Sequence, residues 1–389
     1  MSGSFDRRTP SEHLLTAMVE ALYAGGHTVH ILQKDTEGPK EKLPSALVRL
    51  GVTTTCIRSI PPAKHNFIAR FLTDAQYVLQ CRQWLKKNIG FDRVFMQSSN
   101  VAGLQASVLK GCMPNAPVTF NVQDIFPENA VYSHNLSGNG VAYRILSRMQ
   151  RSAYRYADKI ITISEDMKDQ LTELGVPGEK VAVIYNWSYR DEPYAAEELD
   201  CTVARSLLPE AYFNVVYAGN IGRVQNVDIL VDAAEQMRDD PQVRFYIIGD
   251  GLYKERLKER AQESGLQNLF FLPMQDSALA PSIYATADVN VIPLAEKIYK
   301  TALPSKTATC LACGKPVVFC FGARSKFVEM VGQEAGCQNI SAKDARELCA
   351  AIRKLKEQPA AGDLKAVFLR HMQKTVNAEQ YTKVITDHG

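Results

Sequence analysis

One stretch of the sequence combines the residue types that bind a phosphate. Residues 213–217 form an apolar run with β-branched and aromatic side chains, which predicts a buried strand. A turn with two glycines, an amide and a cation follows, at Gly219, Asn220, Gly222 and Arg223. Apolar residues then recur at helical spacing, at Val227, Leu230, Val231 and Ala234. Glycines let a backbone approach an anion, and a helix start presents free N–H groups. Alone, such a turn is weak evidence, because any tight strand-to-helix connection can need glycine.

Three further turns follow predicted strands in the same half of the chain. They contain Gly249, Asp250 and Gly251; Pro273 and Met274; and Ser305 and Lys306 at a predicted helix start. A hydroxyl and an ammonium at a helix start suit a diphosphate. Taken alone, Ser305 and Lys306 are better explained as an ordinary helix cap with a solvated lysine. Several such turns at one edge of a sheet together favour a nucleotide.

The elements that must position these turns alternate between strands and helices. Strands are predicted at Val29–Leu32, Thr53–Ile57, Arg93–Gln97, Val118–Val122, Lys159–Ile163, Val181–Tyr185, Val215–Ala218, Arg244–Ile248, Asn268–Leu272, Val289–Pro293 and Pro316–Cys320. Helices between them include Ser11–Ala24, Asn66–Asn88, Gly140–Tyr156 and, at the end, Ala342–Glu357, Asp363–Lys374 and Glu379–Asp387. The alternation predicts an α/β protein of two Rossmann-like, doubly wound domains facing a cleft, with ligands at the carboxyl ends of parallel strands.

Domain limits follow from composition. We predict an N-terminal domain at 1–190, a linker or hinge at 191–212, a second domain at 213–374 and a C-terminal helix at 375–389. The linker region is acidic and lacks a sheet pattern. Residues 1–10 are polar where such a domain normally opens with an apolar strand. The first strand is therefore expected either upstream of Met1, as in a truncated start, or not at all.

Composition narrows the classes of function. A chain of 389 residues suggests two domains, and a net charge of +3 argues against a nucleic-acid binder. Of nine cysteines, Cys310 and Cys313 alone have CxxC spacing, and in their apolar helical context buried thiols are favoured over a metal site. With no signal peptide or membrane-spanning run recognised, we expect a cytoplasmic protein, or one peripheral on the cytoplasmic membrane face.

A basic stripe on one predicted helix favours the peripheral location on a membrane. Its arginines recur at three- and four-residue spacing without an intervening acid: Arg144, Arg148, Arg151 and Arg155. Residues 66–88 likewise mix apolar side chains with cations. Such a surface binds anionic lipid, but an ordinary packed helix with a solvated face explains it equally well.

Taken in order, the motifs resemble a known family. YAGNIG, IIGDG, NLFFLP, ADVNVIPL and PSK…LACGKPVV resemble the donor domain of bacterial glycosyltransferases of family 4, which have the GT-B fold. VQDIFPENA, ADKIITISEDMKDQL and VIYNW resemble the acceptor half of the same enzymes. The resemblance covers nearly the whole chain except the first strand, and is strongest to transferases of O-antigen, capsule and exopolysaccharide assembly.

The resemblance implies a nucleotide-sugar donor in the second domain, retention of configuration and no metal or other cofactor. Without a metal, N–H groups and cations must stabilise the leaving diphosphate. The residues expected to do so lie at the turns: the backbone of Gly219, Asn220 and Gly222, with Arg223, Lys306 and, less strongly, Lys300. Further donor contacts are expected from Gly249, Asp250, Gly251, Pro273, Met274 and Ser305.

Two departures from the family pattern put the donor in doubt. Many members carry two glutamates where this chain has Thr301 and Thr309. The usual arginine and lysine after the first glycine turn fall on Asn220 and Gln225. The donor contacts are therefore expected to differ from those of the family, and Arg223 and Lys306 become the more important cations for the diphosphate.

The first half is expected to hold the acceptor. Asp124 follows a predicted strand and either orients the acceptor hydroxyl and takes its proton or caps the next turn. Relatives often have histidine before this aspartate, where this chain has Gln123. Glu128 is a further acceptor candidate. Gly3, Ser4 and Arg7 are assigned by analogy to a loop near the donor phosphates.

These expectations predict a retaining glycosyltransferase that moves a sugar to a hydroxyl of a lipid-linked saccharide. Two alternatives stay open. A nucleotide-sugar 2-epimerase shares the fold but should carry carboxylates and histidines in the cleft, and this chain has seven histidines in all. A non-catalytic nucleotide-sugar-binding protein would be compatible with the loss of both glutamates.

Overall fold

The computed structural model describes residues 12–35, 43–59, 67–322, 324–337, 340–358 and 362–387. The chain divides into two compact units. The first unit comprises Met1–Asn186 with Lys374–Gly389, and the second unit comprises Trp187–Gln373. Each unit is an α/β structure, and the parallel pairing of the strands confirms the predicted Rossmann-like character.

The strands lie close to the predicted positions. They are β1 His30–Asp35, β2 Thr53–Arg58, β3 Val94–Gln97, β4 Val118–Val122, β5 Lys159–Thr162, β6 Val181–Val183, β7 Phe213–Ala218, β8 Val243–Ile248, β9 Leu269–Leu272, β10 Val289–Pro293 and β11 Val317–Cys320.

The helices fill the connections between the strands. They are α1 Glu12–Ala24, α2 Ser45–Arg49, α3 Phe67–Leu85, α4 Ala102–Cys112, α5 Glu128–Tyr132, α6 Val141–Tyr156, α7 Glu165–Glu173, α8 Thr202–Leu207, α9 Asp228–Gln236, α10 Lys254–Glu263, α11 Ala280–Thr286, α12 Lys306–Cys313, α13 Lys326–Glu334, α14 Ala345–Glu357, α15 Leu364–His371 and α16 Lys374–Thr386.

The described strands of the first unit form two sheets. β1 pairs with β2, and a second sheet has the order β3-β4-β5-β6, with every pair parallel. All five residues of β4 are buried, as expected for a strand covered on both faces. α4 packs against both α3 and α6, while α1 packs against α16.

The second unit has one five-stranded parallel sheet of order β11-β10-β7-β8-β9. Its first strand in sequence, β7, is central. Val215 and Tyr217 join the core beneath α9 and α14, whereas Val216 faces the opposite side, towards Ile283 of α11. The four residues predicted to form the apolar face of α9 and its start are all buried in the first of these cores: Val227, Leu230, Val231 and Ala234.

Three predicted boundaries differ from the observed ones. The predicted Asp363–Lys374 helix ends at His371, because the backbone leaves the helical conformation at Met372, with φ −132° and ψ 22°. α16 begins at Lys374 instead of Glu379, since Asn377, Ala378, Tyr381 and Ile385 form one continuous buried stripe, and it belongs to the first unit. Within residues 191–212, Ala204 of α8 and the adjoining Leu208 pack into the core that contains Val216 and Ile283, so part of the predicted linker is packed structure. A hinge function there stays a prediction.

Candidate functional site

The first glycine turn, residues 219–223 (the Gly219 turn), continues directly from β7. Gly219 has a φ of 148°, a conformation that favours glycine. Its N–H donates to the carbonyl of Ile248 over 2.8 Å, and the N–H of Ile221 donates to the carbonyl of Asp250 over 2.8 Å. The buried Tyr217 hydroxyl donates to the carbonyl of Asn220. The expectation that the Gly219 N–H binds phosphate is therefore wrong, because that group completes the sheet.

The second turn, residues 249–251 (the Gly249 turn), packs against the first. A Cβ added to Gly249 would lie 1.8 Å from the carbonyl oxygen of Gly219, and one added to Gly251 would lie 2.3 Å from that of Ile221. The Lys254 ammonium donates to the carbonyl of Gly249 over 2.6 Å and to that of Leu272 over 3.3 Å. These two glycines are thus required for contact between turns, whatever ligand is bound.

Lys306 brings a cation to the Gly219 turn. It is the first residue of α12, and its Nζ lies 3.8 Å from the centre of the Tyr217 ring. A Cβ added to Gly219 would lie 2.5 Å from the same Nζ, so the ammonium rests on the glycine backbone. Desolvation lowers the pKa of this half-buried lysine to about 8. A cation with poor hydration beside an exposed edge is a strong site for an anion.

The other residues of the Gly219 turn are arranged differently. Arg223 is exposed and begins a short 3-10 turn that ends at Gln225. The Asn220 side chain donates to Oε1 of Gln225 over 3.1 Å. The two positions at which the family usually carries cations are therefore occupied by two amides that bind each other. The cation that lies against Gly219 is instead the ammonium group of Lys306.

The remaining predicted donor residues differ in how far their side chains are exposed to solvent. Asp250, Pro273, Met274 and Ser305 are exposed, and the Met274 side chain keeps 54% of its surface accessible. Lys300 ends a short 3-10 turn and is half-buried. Neither threonine at a family glutamate position faces outward. Thr301 is buried and donates to Ile298, and Thr309 lies 3.3 Å from the Ser188 hydroxyl.

In the first unit, Asp124 follows β4 and its side chain is exposed. Its carboxylate makes no hydrogen bond with another described residue, so no capping role is seen in that part of the chain. Although the side chain is exposed, the protein around it desolvates the carboxylate and raises its pKa to about 6. At neutral pH it is ionised and more basic than an ordinary aspartate, which suits a proton acceptor.

Gln123 joins a network of polar side chains behind Asp124. Its amide donates to Oδ1 of Asn121 over 3.2 Å and to the Tyr381 hydroxyl over 3.3 Å. It accepts from Nδ2 of Asn186 over 2.8 Å, and the Tyr381 hydroxyl itself donates to Asn121 over 3.1 Å. The network fixes the backbone that carries Asp124. Sequence reasoning missed Tyr381, which lies 258 residues from Gln123.

Glu128 does not lie where an acceptor residue would be expected. It is 5% exposed, and its Oε1 accepts from the Tyr143 hydroxyl over 3.1 Å. Burial raises the pKa of its carboxyl group, partly offset by hydrogen bonding and by the charge of Arg151. Glu128 therefore supports the packing of α5 against α6, and the predicted contact with an acceptor is corrected accordingly. The other acceptor candidates, Gly3, Ser4 and Arg7, lie outside the described residues.

Two further expectations concern metals and thiols. Within the described ranges, no group of three His, Cys, Asp or Glu side chains could hold a metal ion. Metal independence itself stays a prediction. Cys310 and Cys313 are free and buried, which confirms the expectation of buried thiols.

The basic stripe lies on the outer face of α6. Arg144, Arg148, Arg151 and Arg155 are all exposed. Val141 and Ile145 of the same helix are 65% and 55% exposed, so apolar side chains accompany the cations. α3, which also packs against α4, exposes Leu72 and Leu79. Among the helices that the structure describes, none is long and apolar enough to cross a membrane.

Comparisons with known proteins agree with the motifs. Residues 12–187 match the family model of the glycosyl transferase 4-like domain, and residues 212–358 match that of glycosyl transferases group 1. The putative colanic acid biosynthesis glycosyl transferase WcaI of Escherichia coli K12 is 30% identical over 207 residues, which is 52% of this chain and 50% of WcaI. The probable glycosyltransferase WbjE of Pseudomonas aeruginosa is 28% identical over 51% of this chain and 49% of WbjE. The chain spans about half the length of the curated relatives it matches.

Solved structures establish the fold. Anabaena HepE, crystallised with UDP and glucose, superimposes with a TM-score of 0.72 at 17% identity, covering 100% of this chain and 98% of HepE. WaaG, a glycosyltransferase involved in lipopolysaccharide biosynthesis, gives a TM-score of 0.67 at 15% identity, covering 100% of this chain and 99% of WaaG. At this identity the likeness concerns the fold alone, and it confirms the predicted GT-B class.

Proposed function

We propose that this chain, which belongs to the bacterial glycosyltransferases of family 4, transfers a sugar from a nucleotide-diphosphate sugar to a hydroxyl of a saccharide acceptor in cell-surface polysaccharide assembly. The observation that carries the proposal is the approach of the Lys306 ammonium to the Gly219 backbone, where an added Cβ would lie 2.5 Å from it. A cation held against a glycine turn at the carboxyl end of a central strand is suited to a diphosphate.

In this proposal Lys306 stabilises the leaving diphosphate. As the bond between the sugar C1 and the diphosphate oxygen breaks, its electron pair leaves with the phosphate. A poorly hydrated ammonium stabilises that charge more than a solvated one could. The lysine, with a pKa of about 8 without ligand, is mostly protonated at neutral pH, and an adjacent phosphate favours its charged form further. Arg223, being exposed, adds a weaker and screened attraction.

Asp124 acts on the acceptor in the same proposal. It accepts a hydrogen bond from the acceptor hydroxyl and takes its proton while the oxygen bonds to C1 on the face that the diphosphate leaves. Configuration is thereby retained without a covalent sugar–enzyme intermediate. A carboxylate with a pKa of about 6 is a better base than an ordinary aspartate and is still ionised at neutral pH. The Gln123 network supports this role by fixing the preceding backbone.

The crystallised HepE complex supports a uridine nucleotide as the first donor to test. The decisive experiment incubates the purified chain with labelled UDP-hexoses, UDP-N-acetylhexosamines and other nucleotide sugars, with and without bacterial lipid extracts. Label transferred to a saccharide supports the proposal. A 2-epimerase would instead convert the nucleotide sugar itself without acceptor, and tight donor binding without any turnover would favour a non-catalytic binding protein.

We further propose that the acceptor is lipid-linked and that α6 rests on the cytoplasmic face of an anionic membrane. The exposed cations and apolar residues of α6 support this step. Each cation near such a surface contributes about 1 kcal/mol, so changing Arg144 and Arg148 to Gln should weaken partitioning onto phosphatidylglycerol vesicles roughly 30-fold. Arg256→Gln with Arg346→Gln removes two exposed arginines from the second unit and serves as the matched control. Equal partitioning of both variants would exclude α6 as the contact.

A further inference from the structure

Tyr217 contacts both the cation and the glycine turn of the proposed anion site. It belongs to β7, it precedes Gly219 by two positions, and its side chain is fully buried. The Lys306 ammonium lies 3.8 Å from the centre of its ring. Its hydroxyl donates a hydrogen bond to the carbonyl of Asn220. One buried side chain therefore joins two functional groups that come from different segments of the sequence.

The ring of Tyr217 holds a cation without neutralising it. Among the described side chains, no carboxylate forms an ion pair with Lys306. The face of an aromatic ring attracts an ammonium through its quadrupole, yet the ring carries no net charge. Burial raises the pKa of Tyr217, so its hydroxyl stays protonated and the side chain stays neutral at physiological pH. The charge of the ammonium is therefore available to an anion, whereas a carboxylate partner would cancel most of it.

The hydroxyl of Tyr217 also affects which backbone groups of the Gly219 turn can meet a ligand. The Asn220 oxygen accepts from this hydroxyl, and the Ile221 oxygen accepts from the N–H of Tyr253 over 3.1 Å. Both oxygens are thus engaged within the unit. By contrast, the N–H groups of Asn220 and Gly222 donate to no other described residue. A turn whose oxygens are engaged and whose N–H groups are available is suited to an anion.

We propose that Tyr217 is a positioning residue of the donor site. Its ring holds the ammonium of Lys306 against the Gly219 turn, and its hydroxyl keeps the carbonyl of Asn220 away from the bound anion. Tyr217 acts through these two groups and does not touch the ligand, because its own side chain is fully buried. The inference rests on the proposed function in one respect, that the anion is the diphosphate of a nucleotide.

Two variants of the full chain separate the ring from the hydroxyl: Tyr217→Leu removes both, and Tyr217→Phe keeps the ring. Phe245→Leu is the matched control, because Phe245 is a fully buried aromatic residue of the neighbouring strand β8 in the same core. Isothermal titration measures the Kd of the tightest binder among UDP, GDP, ADP and dTDP. We expect this Kd to rise about tenfold or more in Tyr217→Leu, and no more than about threefold in Tyr217→Phe and Phe245→Leu.

A double variant distinguishes positioning of the cation from a general loss of packing. In the Lys306→Met background, Tyr217→Leu should change the Kd no more than about threefold, because the cation that the ring positions is already gone. A merely structural role would weaken binding by the same factor in both backgrounds. That result would overturn the inference, and so would a Kd for Tyr217→Leu equal to that of Phe245→Leu.

Nuclear magnetic resonance of lysine labelled with carbon-13 at Cε tests the contact without any ligand. The Lys306 signal is the one absent from Lys306→Met, and the ring should shift its ε-proton resonance upfield of those of other lysines. The shift should persist in Tyr217→Phe and disappear in Tyr217→Leu. An unshifted signal in the wild-type protein would overturn the inference, even if Tyr217→Leu fails to fold. If the shift is present but no nucleoside diphosphate binds, the proposed function fails while the positioning of the cation by the ring is supported.

Discussion

The two units present the carboxyl ends of their strands by different means. In the second unit, the ends of β7 and β8 are shaped by backbone contact between glycines: Gly249 fits against the carbonyl of Gly219, and Gly251 against that of Ile221. In the first unit, the end of β4 is held by side chains, through the bonds of Gln123 to Asn121, Tyr381 and Asn186. One edge depends on the absence of side chains and the other on their hydrogen bonds.

This difference matches the chemistry proposed for each edge. A glycine backbone with one poorly hydrated cation offers a compact surface for a diphosphate, which recurs in every donor. In the proposed role, an exposed carboxylate can serve acceptors of varied shape, because the side chains that fix its backbone bond to one another and not to the carboxylate. We therefore expect substitutions at the two edges to affect different properties of the protein. Changes at the glycines should disrupt the fold, whereas changes at Asp124 should spare it.

The largest effect is expected from Gly249→Ala. Its Cβ would lie 1.8 Å from a carbonyl oxygen of the neighbouring turn, and backbone atoms there cannot move without disturbing β7. We expect a loss of at least about 4 kcal/mol in unfolding free energy, measured by urea denaturation. Gly265→Ala is the control. It has a φ of 64° but open space around it, so it should cost about 1–2 kcal/mol. Similar costs for the two variants would contradict the close packing of the turns.

Asp124→Asn should reduce transfer about 100-fold while donor affinity and unfolding midpoint stay unchanged. The carboxylate is exposed and bonds to no other described residue, so its removal leaves nothing unpaired among them. With a pKa of about 6, the wild-type carboxylate becomes protonated as pH falls, so kcat/KM should decline below about pH 6. The variant should lack that decline. Glu179→Gln, an exposed carboxylate of the same unit, is the control, and equal transfer in both variants would remove Asp124 from the mechanism.

The strands and the apolar stripe of α9 were predictable because their signals are local. Val227, Leu230, Val231 and Ala234 repeat at helical spacing within one segment, and the structure buries them together. The parallel arrangement followed from the alternation of strands and helices. Helix ends at the C-terminus were less predictable, since the stripe that starts α16 early includes Tyr381, which is buried against distant parts of the first unit.

That the Gly219 turn, the Gly249 turn and Lys306 lie together was predictable, whereas the contacts among them were less so. Gly219, Gly249 and Lys306 follow strands in sequence, so their common edge could be inferred. The burial of Tyr217 beneath Lys306 and the packing of one glycine turn on another are contacts between segments far apart in sequence, and no local pattern predicts them. Gly249 and Gly251 were interpreted as donor-binding residues, whereas the structure shows that close packing of the two turns requires glycine at both positions. Glu128 was assigned to the acceptor because it belongs to the stretch that follows β4, whereas the structure buries it and Tyr143 of α6 donates to its carboxylate.

Lys306→Met tests the cation of the second unit. A charge-assisted hydrogen bond contributes about 1.5–3 kcal/mol, so the Kd for donor should rise roughly 10- to 100-fold. The unfolding midpoint should stay the same or rise, since a desolvated cation is replaced by an apolar side chain of similar size. Wild-type affinity should also fall above about pH 8, as the lysine loses its proton, and the variant should not show this fall. Isothermal titration at several pH values measures both effects. Lys258→Met, on the outer side of α10, is the control, and donor affinity equal to wild type would exclude Lys306 from the diphosphate site.

Arg223→Gln should have the smallest effect, because Arg223 is exposed in the Gly219 turn. An exposed cation contributes up to about 1 kcal/mol and is screened by salt, so the Kd for donor should rise no more than about fivefold at low salt. At 0.5 M NaCl the difference from wild type should vanish, whereas that of Lys306→Met should persist, since a desolvated charge is screened less. Titrating both variants at two salt concentrations separates the two cations. If Arg223→Gln matched Lys306→Met at high salt, Arg223 would have to become buried when donor binds, and the second unit would then depend on a moving side chain as well as on its fixed backbone.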